Sequence, residues 1–166
     1  MPTPAAAAGA VANIPFRYAH NYVEPVVAAV VLRIPVNPLL YHNFQNEPFI
    51  ITPYNPLYFY LSYAAMAVTG GAPMAAGRII SFLGGIAACV FIFLILRRLG
   101  AGRAVAAFFG LFFIQISCVA NQWVSMRPDV TALGFTLAGL FCFVEHERQR
   151  EKVKAAAGNA NGHWMQ

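Results

Sequence analysis

An all-α integral membrane fold, with about three transmembrane helices and short helices lying ahead of them, is what the sequence predicts, on three observations. Hydrophobic residues fill 59% of the 166 positions and charged residues 10%, with a mean hydropathy of +0.58; a soluble domain carries roughly 45–50% apolar and about 25% charged residues. Three apolar runs follow one another at residues 75–96, 104–120 and 130–144. Basic residues stand at the ends of these runs, at Arg97, Arg98, Arg103, Arg148, Arg150, Lys152 and Lys154. Placed there, a net charge of +5 reads as membrane orientation and argues against a nucleic-acid partner.

Residues 1–12 are small and Ala-rich, without a basic leader and well short of the roughly 20 residues a span requires, so they read as a disordered N-terminus. Residues 13–71 form a more polar segment. It carries Arg17, His20, Glu24, Arg33, His42 and Glu47 among prolines at 15, 25, 35, 38, 48 and 53, which permit only short helices such as residues 26–34. Asn55 followed by Pro56 is a helix start, a side-chain cap before a residue whose φ suits the first turn. Leu57, Leu61, Ala64, Ala65 and Val68 then share one face before Gly70 and Gly71. This stretch is too short to span. Its crowd of Tyr54, Tyr58, Phe59, Tyr60 and Tyr63 predicts a helix lying in the interface plane, where rings with a polar tip are favoured.

The transmembrane region occupies residues 72–145. Its first helix is closed by Arg97 and Arg98. The second runs toward Asn121, Gln122 and Ser125, with Trp123 at the boundary, and the third lies between Asp129 and Glu145. Small residues four apart, Gly84 with Ala88, Ala106 with Gly110 and Gly134 with Ala138, have the spacing that lets helices approach closely in lipid. The basic loop 97–103 and the polar tail 146–166 are expected on the cytoplasmic side, with residues 13–71 and the turn at 121–129 on the other. An external N-terminal segment with no helix before it suggests a chain missing an opening helix and later ones. The far tail, 155–166, shows no helical period.

Cys89, Cys118 and Cys142 each fall inside an apolar run and behave as small apolar side chains, and no metal site is legible. His20 and Glu24, one helical turn apart, read as a surface pair. The external acidic residues of this arrangement are Glu24, Glu47 and Asp129. A carboxylate near the hydrocarbon boundary is costly unless solvated or paired, which marks Glu24 and Asp129 as candidates for function. Asp129 also suits a helix N-terminus, and Glu24 an ordinary loop.

Several short motifs, in order, resemble a known family. Asn21-Tyr-Val-Glu-Pro-Val-Val, Pro38-Leu-Leu-Tyr-His, Tyr54-Asn-Pro-Leu-Tyr-Phe-Tyr, and Gly77-Arg-Ile-Ile-Ser-Phe-Leu ending in Leu96-Arg-Arg-Leu-Gly look like the start of bacterial GT-C-class membrane glycosyltransferases, relatives of the protein mannosyltransferases and the lipid A aminoarabinose transferase. The resemblance covers about residues 21–144 and implies a GT-C-like N-terminal fragment in the bacterial inner membrane. It implies transfer of a sugar from a polyprenyl-phosphate donor to an acceptor on the external face. Glu24 matches the first acidic position of the family and Asp129, in Arg-Pro-Asp, the second; Val23 stands where family members often have Asp.

In that chemistry one carboxylate takes the acceptor's proton, a role expected of Glu24, while Asp129 orients the acceptor or helps hold a divalent metal. Arg78 and Arg127 are the candidates for the departing phosphate, and Tyr54 and Tyr58 for the lipid or sugar groove. The missing helices of a full-length enzyme would be partners, and the isolated fragment is expected to be inactive. The rival readings are a non-enzymatic assembly or transporter subunit and an inactive truncated product.

Overall fold

The computed structural model describes residues 14–15, 18–19, 21–41, 45, 52, 54–116 and 124–162, with side chains as far as residue 155. Among these residues the chain forms five helices: α1 (Val23–Arg33), α2 (Pro56–Ala65), α3 (Pro73–Arg98), α4 (Arg103–Gln115) and α5 (Pro128–Gly162). Expectations placed on His20, His42, Glu47, Cys118, Asn121, Gln122 and Trp123, and on residues 1–12, lie outside the described residues.

Two helices, Pro73–Arg98 and the stretch Pro128–Ala155 of α5, are long and apolar enough to cross a membrane. Only 28% and 22% of their most apolar stretches are buried inside the protein, so most of that apolar surface needs a nonaqueous neighbour. α3, with 26 residues, reaches about 39 Å. The helix expected at 104–120 is shorter. α4 has 13 residues, about 20 Å, and Ile116 after it is extended, so α4 alone falls short of a hydrocarbon layer of about 30 Å.

The polar tail, by contrast, continues α5 as helix through Gly162. Apolar periodicity gave no sign of this, because the stretch is held by pairs along one solvated helix: Arg150 with Glu147 at 3.0 Å and Lys154 with Glu151 at 2.8 Å, with Gln149 Nε2 donating to Glu145 at 3.3 Å.

α1 buries Val23, Val27, Val30, Val31 and Ile34, a repeat of three and four, against Leu40, Tyr58, Phe59 and Met126. Asn21 starts α1 by accepting from the Val23 and Glu24 amides at 3.0 and 3.2 Å. Asn55 does the same for α2, accepting from the Leu57 amide at 3.2 Å with Pro56 at the first helical position, as the sequence predicts.

The face of α2 turned to the rest of the protein is an aromatic one. Tyr58, Phe59 and Ser62 turn inward, while Leu57 and Val68 are exposed. The Tyr58 hydroxyl finds its partners on α3. After α2 the chain reverses through Gly70 and Gly71, with φ of +63° and +84°, backbone that side chains with a Cβ rarely adopt.

α3 and α5 run side by side in the same sense and touch through glycine. A Cβ on Gly84 would stand 2.6 Å from Thr131 Cα, and one on Gly134 would stand 2.8 Å from the Gly84 carbonyl oxygen. α4 returns antiparallel along α3, with Gly110 similarly close to the Cys89 carbonyl, at 3.0 Å. Of the small residues paired by spacing in the sequence, Gly84, Ala88, Ala106, Gly110 and Gly134 are buried and Ala138 is half-buried. Close backbone approach is what such residues supply where lipid offers helices no hydrophobic drive to associate.

The Gly84→Leu variant should therefore force α3 and α5 apart and cost about 1–3 kcal/mol, as overpacking does. The Gly139→Ala variant, whose Cβ meets nothing within 4 Å, should be neutral or slightly stabilising. Detergent-titration unfolding of the two variants beside the parent checks both expectations.

Candidate functional site

The N-terminal ends of α1, α3 and α5 meet at a buried polar node. Arg78, in the second turn of α3, and Glu24, in the first turn of α1, are both fully buried and form a two-point ion pair. Arg78 Nε donates to Glu24 Oε1 at 3.0 Å and Nη2 to Oε2 at 2.8 Å. The Met126 amide, two residues before α5, donates to Oε1 at 2.7 Å. The remaining guanidinium donors reach backbone carbonyls, Nη2 to Tyr18 at 2.8 Å and Nη1 to Ile14 at 3.5 Å. Breaking such a pair by removing one partner strands a charge away from water, at a cost of about 3–5 kcal/mol. Gly77 lets the Met126 side chain in, since any Cβ there would overlap it.

A second polar layer lies one turn along α3. Tyr58 donates its hydroxyl proton to the Gly77 carbonyl at 2.9 Å and lies 3.0 Å from Ser81 Oγ. Ser81 donates to the Arg127 carbonyl at 2.9 Å and accepts from the Arg127 amide at 3.1 Å. The Arg127-Pro128-Asp129 turn is thus fastened through its backbone from one side, and Pro128 and Asp129 open α5. Asp129 is exposed and Arg127 half-buried. Arg127 Nε is buried with no hydrogen-bond partner among the described residues.

Burial pushes the Tyr58 phenol well above the usual tyrosine range; the nearby Ser81 hydroxyl opposes the shift, and the Glu24 and Asp129 carboxylates add to it.

Two cavities lie beside these layers. One of about 280 Å³ is lined by Asn55, Tyr58, Pro128, Thr131 and Thr136 among others, between α2 and α5. The other, about 380 Å³ and almost wholly apolar, runs along α3 and α5 past Leu61, Leu83, Gly84, Ala87 and Ala138. Thr131 and Phe135 line both, so the two share a wall.

The structure thus brings the four charged candidates, Glu24, Arg78, Arg127 and Asp129, to one end of the bundle, but it divides them. Glu24 and Arg78 are turned on each other inside the protein, and Asp129 is left at the surface. Tyr58 lines a cavity while its hydroxyl is spent on α3. Tyr54 is half-buried at the edge of the core, and its carbonyl accepts from the Tyr41 hydroxyl at 2.8 Å. Among the described residues no point gathers three His, Cys, Asp or Glu side chains. Ser81 and the Met126 amide escaped sequence reasoning. Ser81 had a signal, lying three residues from Arg78 and so on the same helix face.

At the far end of the bundle, Arg98 Nε lies 3.0 Å from Glu145 Oε2 and joins α3 to α5. Twenty residues separate Arg78 from Arg98, about 30 Å of helix. That is the thickness of a bilayer's hydrocarbon core, about 30 Å.

Two long apolar helices, paired through glycine and bounded by charged layers a bilayer apart, define an all-helical membrane protein. The family model described as dolichyl-phosphate-mannose-protein mannosyltransferase matches residues 32–159, and the chain belongs to this family, whose members are related to the glycosyltransferases that use polyprenyl-phosphate sugars. Arg78, Arg127 and Asp129 fall inside the matched stretch and Glu24 lies before it. No curated protein and no solved structure gave a match.

Tyr58 carries a pH prediction. Below the ordinary phenol pKa of about 10 the tyrosine is protonated in folded and unfolded chains alike and adds no pH dependence. Above it the unfolded chain releases the proton while the folded chain keeps it, so folding stability should fall as pH rises from about 10 toward the folded-state pKa. The Tyr58→Phe variant should lose most of that alkaline slope, and unfolding titrations from neutral to strongly alkaline pH measure it.

Proposed function

We propose that this chain binds a polyprenyl-phosphate-linked sugar and serves in its transfer to an acceptor on the external face of a bacterial inner membrane. One observation carries the reading: the apolar groove along α3 and α5 shares a wall with the more polar cavity beside the Arg127-Pro128-Asp129 turn. An amphipathic donor has matching parts. Its isoprenoid chain suits the groove, its phosphate suits Arg127, and its sugar suits the cavity lined by Asn55, Tyr58, Thr131 and Thr136.

In the reaction an acceptor hydroxyl or amine attacks the anomeric carbon as the bond from that carbon to the phosphate oxygen breaks. The acceptor's proton passes to a carboxylate, and the lipid phosphate leaves with the bonding electrons and an added negative charge. Glu24 was the expected base, but both its oxygens already accept from Arg78 and one also from the Met126 amide. Asp129, exposed at the start of α5, fits the proton-accepting role better, and Glu24 fits that of holding the site together. Arg127, with its buried and unengaged Nε, likewise fits the phosphate better than Arg78, whose donors are turned inward.

The observation that favours a non-enzymatic reading is this same inward pairing, which would serve a purely architectural role equally well. Measurement separates the two. The Arg127→Gln variant should weaken binding of polyprenyl phosphate about tenfold or more, the worth of a hydrogen bond to a charged group. The Asp129→Asn variant should keep that binding and lower sugar transfer roughly a hundredfold or more. Unchanged binding in the first variant removes the phosphate assignment, and unchanged transfer in the second removes the base. A parent chain that binds the lipid and transfers no sugar leaves the architectural reading standing.

A further inference from the structure

The charges at the Arg98–Glu145 end do not balance, and the imbalance has a location. Among the described residues three acidic side chains lie there and each is taken: Glu145 by Arg98 at 3.0 Å, Glu147 by Arg150 at 3.0 Å and Glu151 by Lys154 at 2.8 Å. Four basic side chains remain in surplus. Arg97 donates to the Ala101 carbonyl at 2.7 Å, which closes the turn after α3 and neutralises no charge. Arg148 lies 4.0 Å from the Glu145 carboxylate that Arg98 already holds. Arg103 and Lys152 have no ion pair among the described residues. All four are exposed.

Their depth is set by helix geometry. About 20 helical residues cross the hydrocarbon core, so counting from Pro128 the helix leaves it near Glu147, and Arg148 and Lys152 emerge within the next two turns. The Arg98–Glu145 bridge brings Arg97 and the start of α4, with Arg103, to the same level. Four unneutralised cations are thus collected where lipid phosphates lie, on a helix that runs on beyond them to Gly162. Near a membrane surface each basic residue attracts anionic lipid by about 1 kcal/mol, roughly fivefold.

We propose that this end of the bundle, formed by Arg97, Arg103, Arg148 and Lys152, is a docking surface for anionic phospholipid headgroups. It is separate from the polar node at the opposite end and does not depend on the chain's being a transferase.

The test uses the whole chain purified in neutral detergent and measures retention of radiolabelled phosphatidylglycerol and phosphatidylcholine. The parent should prefer phosphatidylglycerol at least tenfold, and the preference should collapse as salt is raised. The triple variant Arg103→Gln, Arg148→Gln, Lys152→Gln should lose it. The pair Glu147→Gln, Arg150→Gln removes one ion pair at constant net charge and should retain it. Equal retention of the two lipids by the parent overturns the proposal, as does a preference that survives in the triple variant. Displacement of phosphatidylglycerol by inorganic phosphate at equal concentration also overturns it, because the surface would then be a free-anion site. Should the triple variant not fold, the parent's preference and its salt dependence decide the matter alone.

Discussion

The pairing of Glu24 with Arg78 is the interaction on which the arrangement at one end of this protein depends. A carboxylate and a guanidinium have both been taken out of solvent, which costs several kcal/mol for each ion unless partners repay it. Here the repayment is geometric: two parallel contacts between the ions, an amide from Met126, and backbone carbonyls for the remaining guanidinium donors. Because the donors and acceptors come from α1, from α3, from the segment before α1 and from the turn before α5, satisfying one charge pair fixes four parts of the chain at once. The second layer through Tyr58 and Ser81 then holds the Arg127-Pro128-Asp129 turn in register with α3.

Below these layers the logic changes from charge to shape. Lipid gives apolar helices no reason to seek one another, so α3 and α5 are joined by close backbone approach at Gly84 and Gly134 and by the ion pair at their far ends. The groove beside the glycine contact follows from this: small residues let backbones meet, and the larger side chains flanking them, Leu83, Phe91 and Phe135, leave space alongside. A structural necessity of helix pairing thereby supplies the apolar groove proposed for an isoprenoid chain, next to a polar turn that an ionic node has already positioned.

Much of this was legible in the sequence. The apolar runs, the Asn55-Pro56 helix start and the small residues four apart are local signals, and they reappear as helices, one shorter than its run, as a cap, and as close backbone contacts at Gly84, Gly110 and Gly134. The four charged residues of the site were also legible as candidates, and they do gather at one end. Their pairing was not, since Glu24 and Arg78 are 54 residues apart and no local rule says which charge will meet which. Sequence alone therefore made Glu24 a free base and Arg78 a free phosphate ligand, whereas the structure turns each on the other. Which face of α2 turns inward was not legible for a related reason, because the partners of the Tyr58 hydroxyl belong to α3. The helical tail of α5 escaped because its stabilising pairs are charged and leave no apolar period.

The central claim is that Glu24 and Arg78 are energetically coupled, and a double-mutant cycle in unfolding free energy tests it most directly. Glu24→Ala and Arg78→Ala should each destabilise the chain by about 3–5 kcal/mol, because each leaves a buried charge alone. The double variant should cost less than the sum of the two by about 2 kcal/mol or more, within the range found for residues in direct contact. Additive costs would mean that the two side chains do not stabilise each other, and the organising role given to the pair would be wrong.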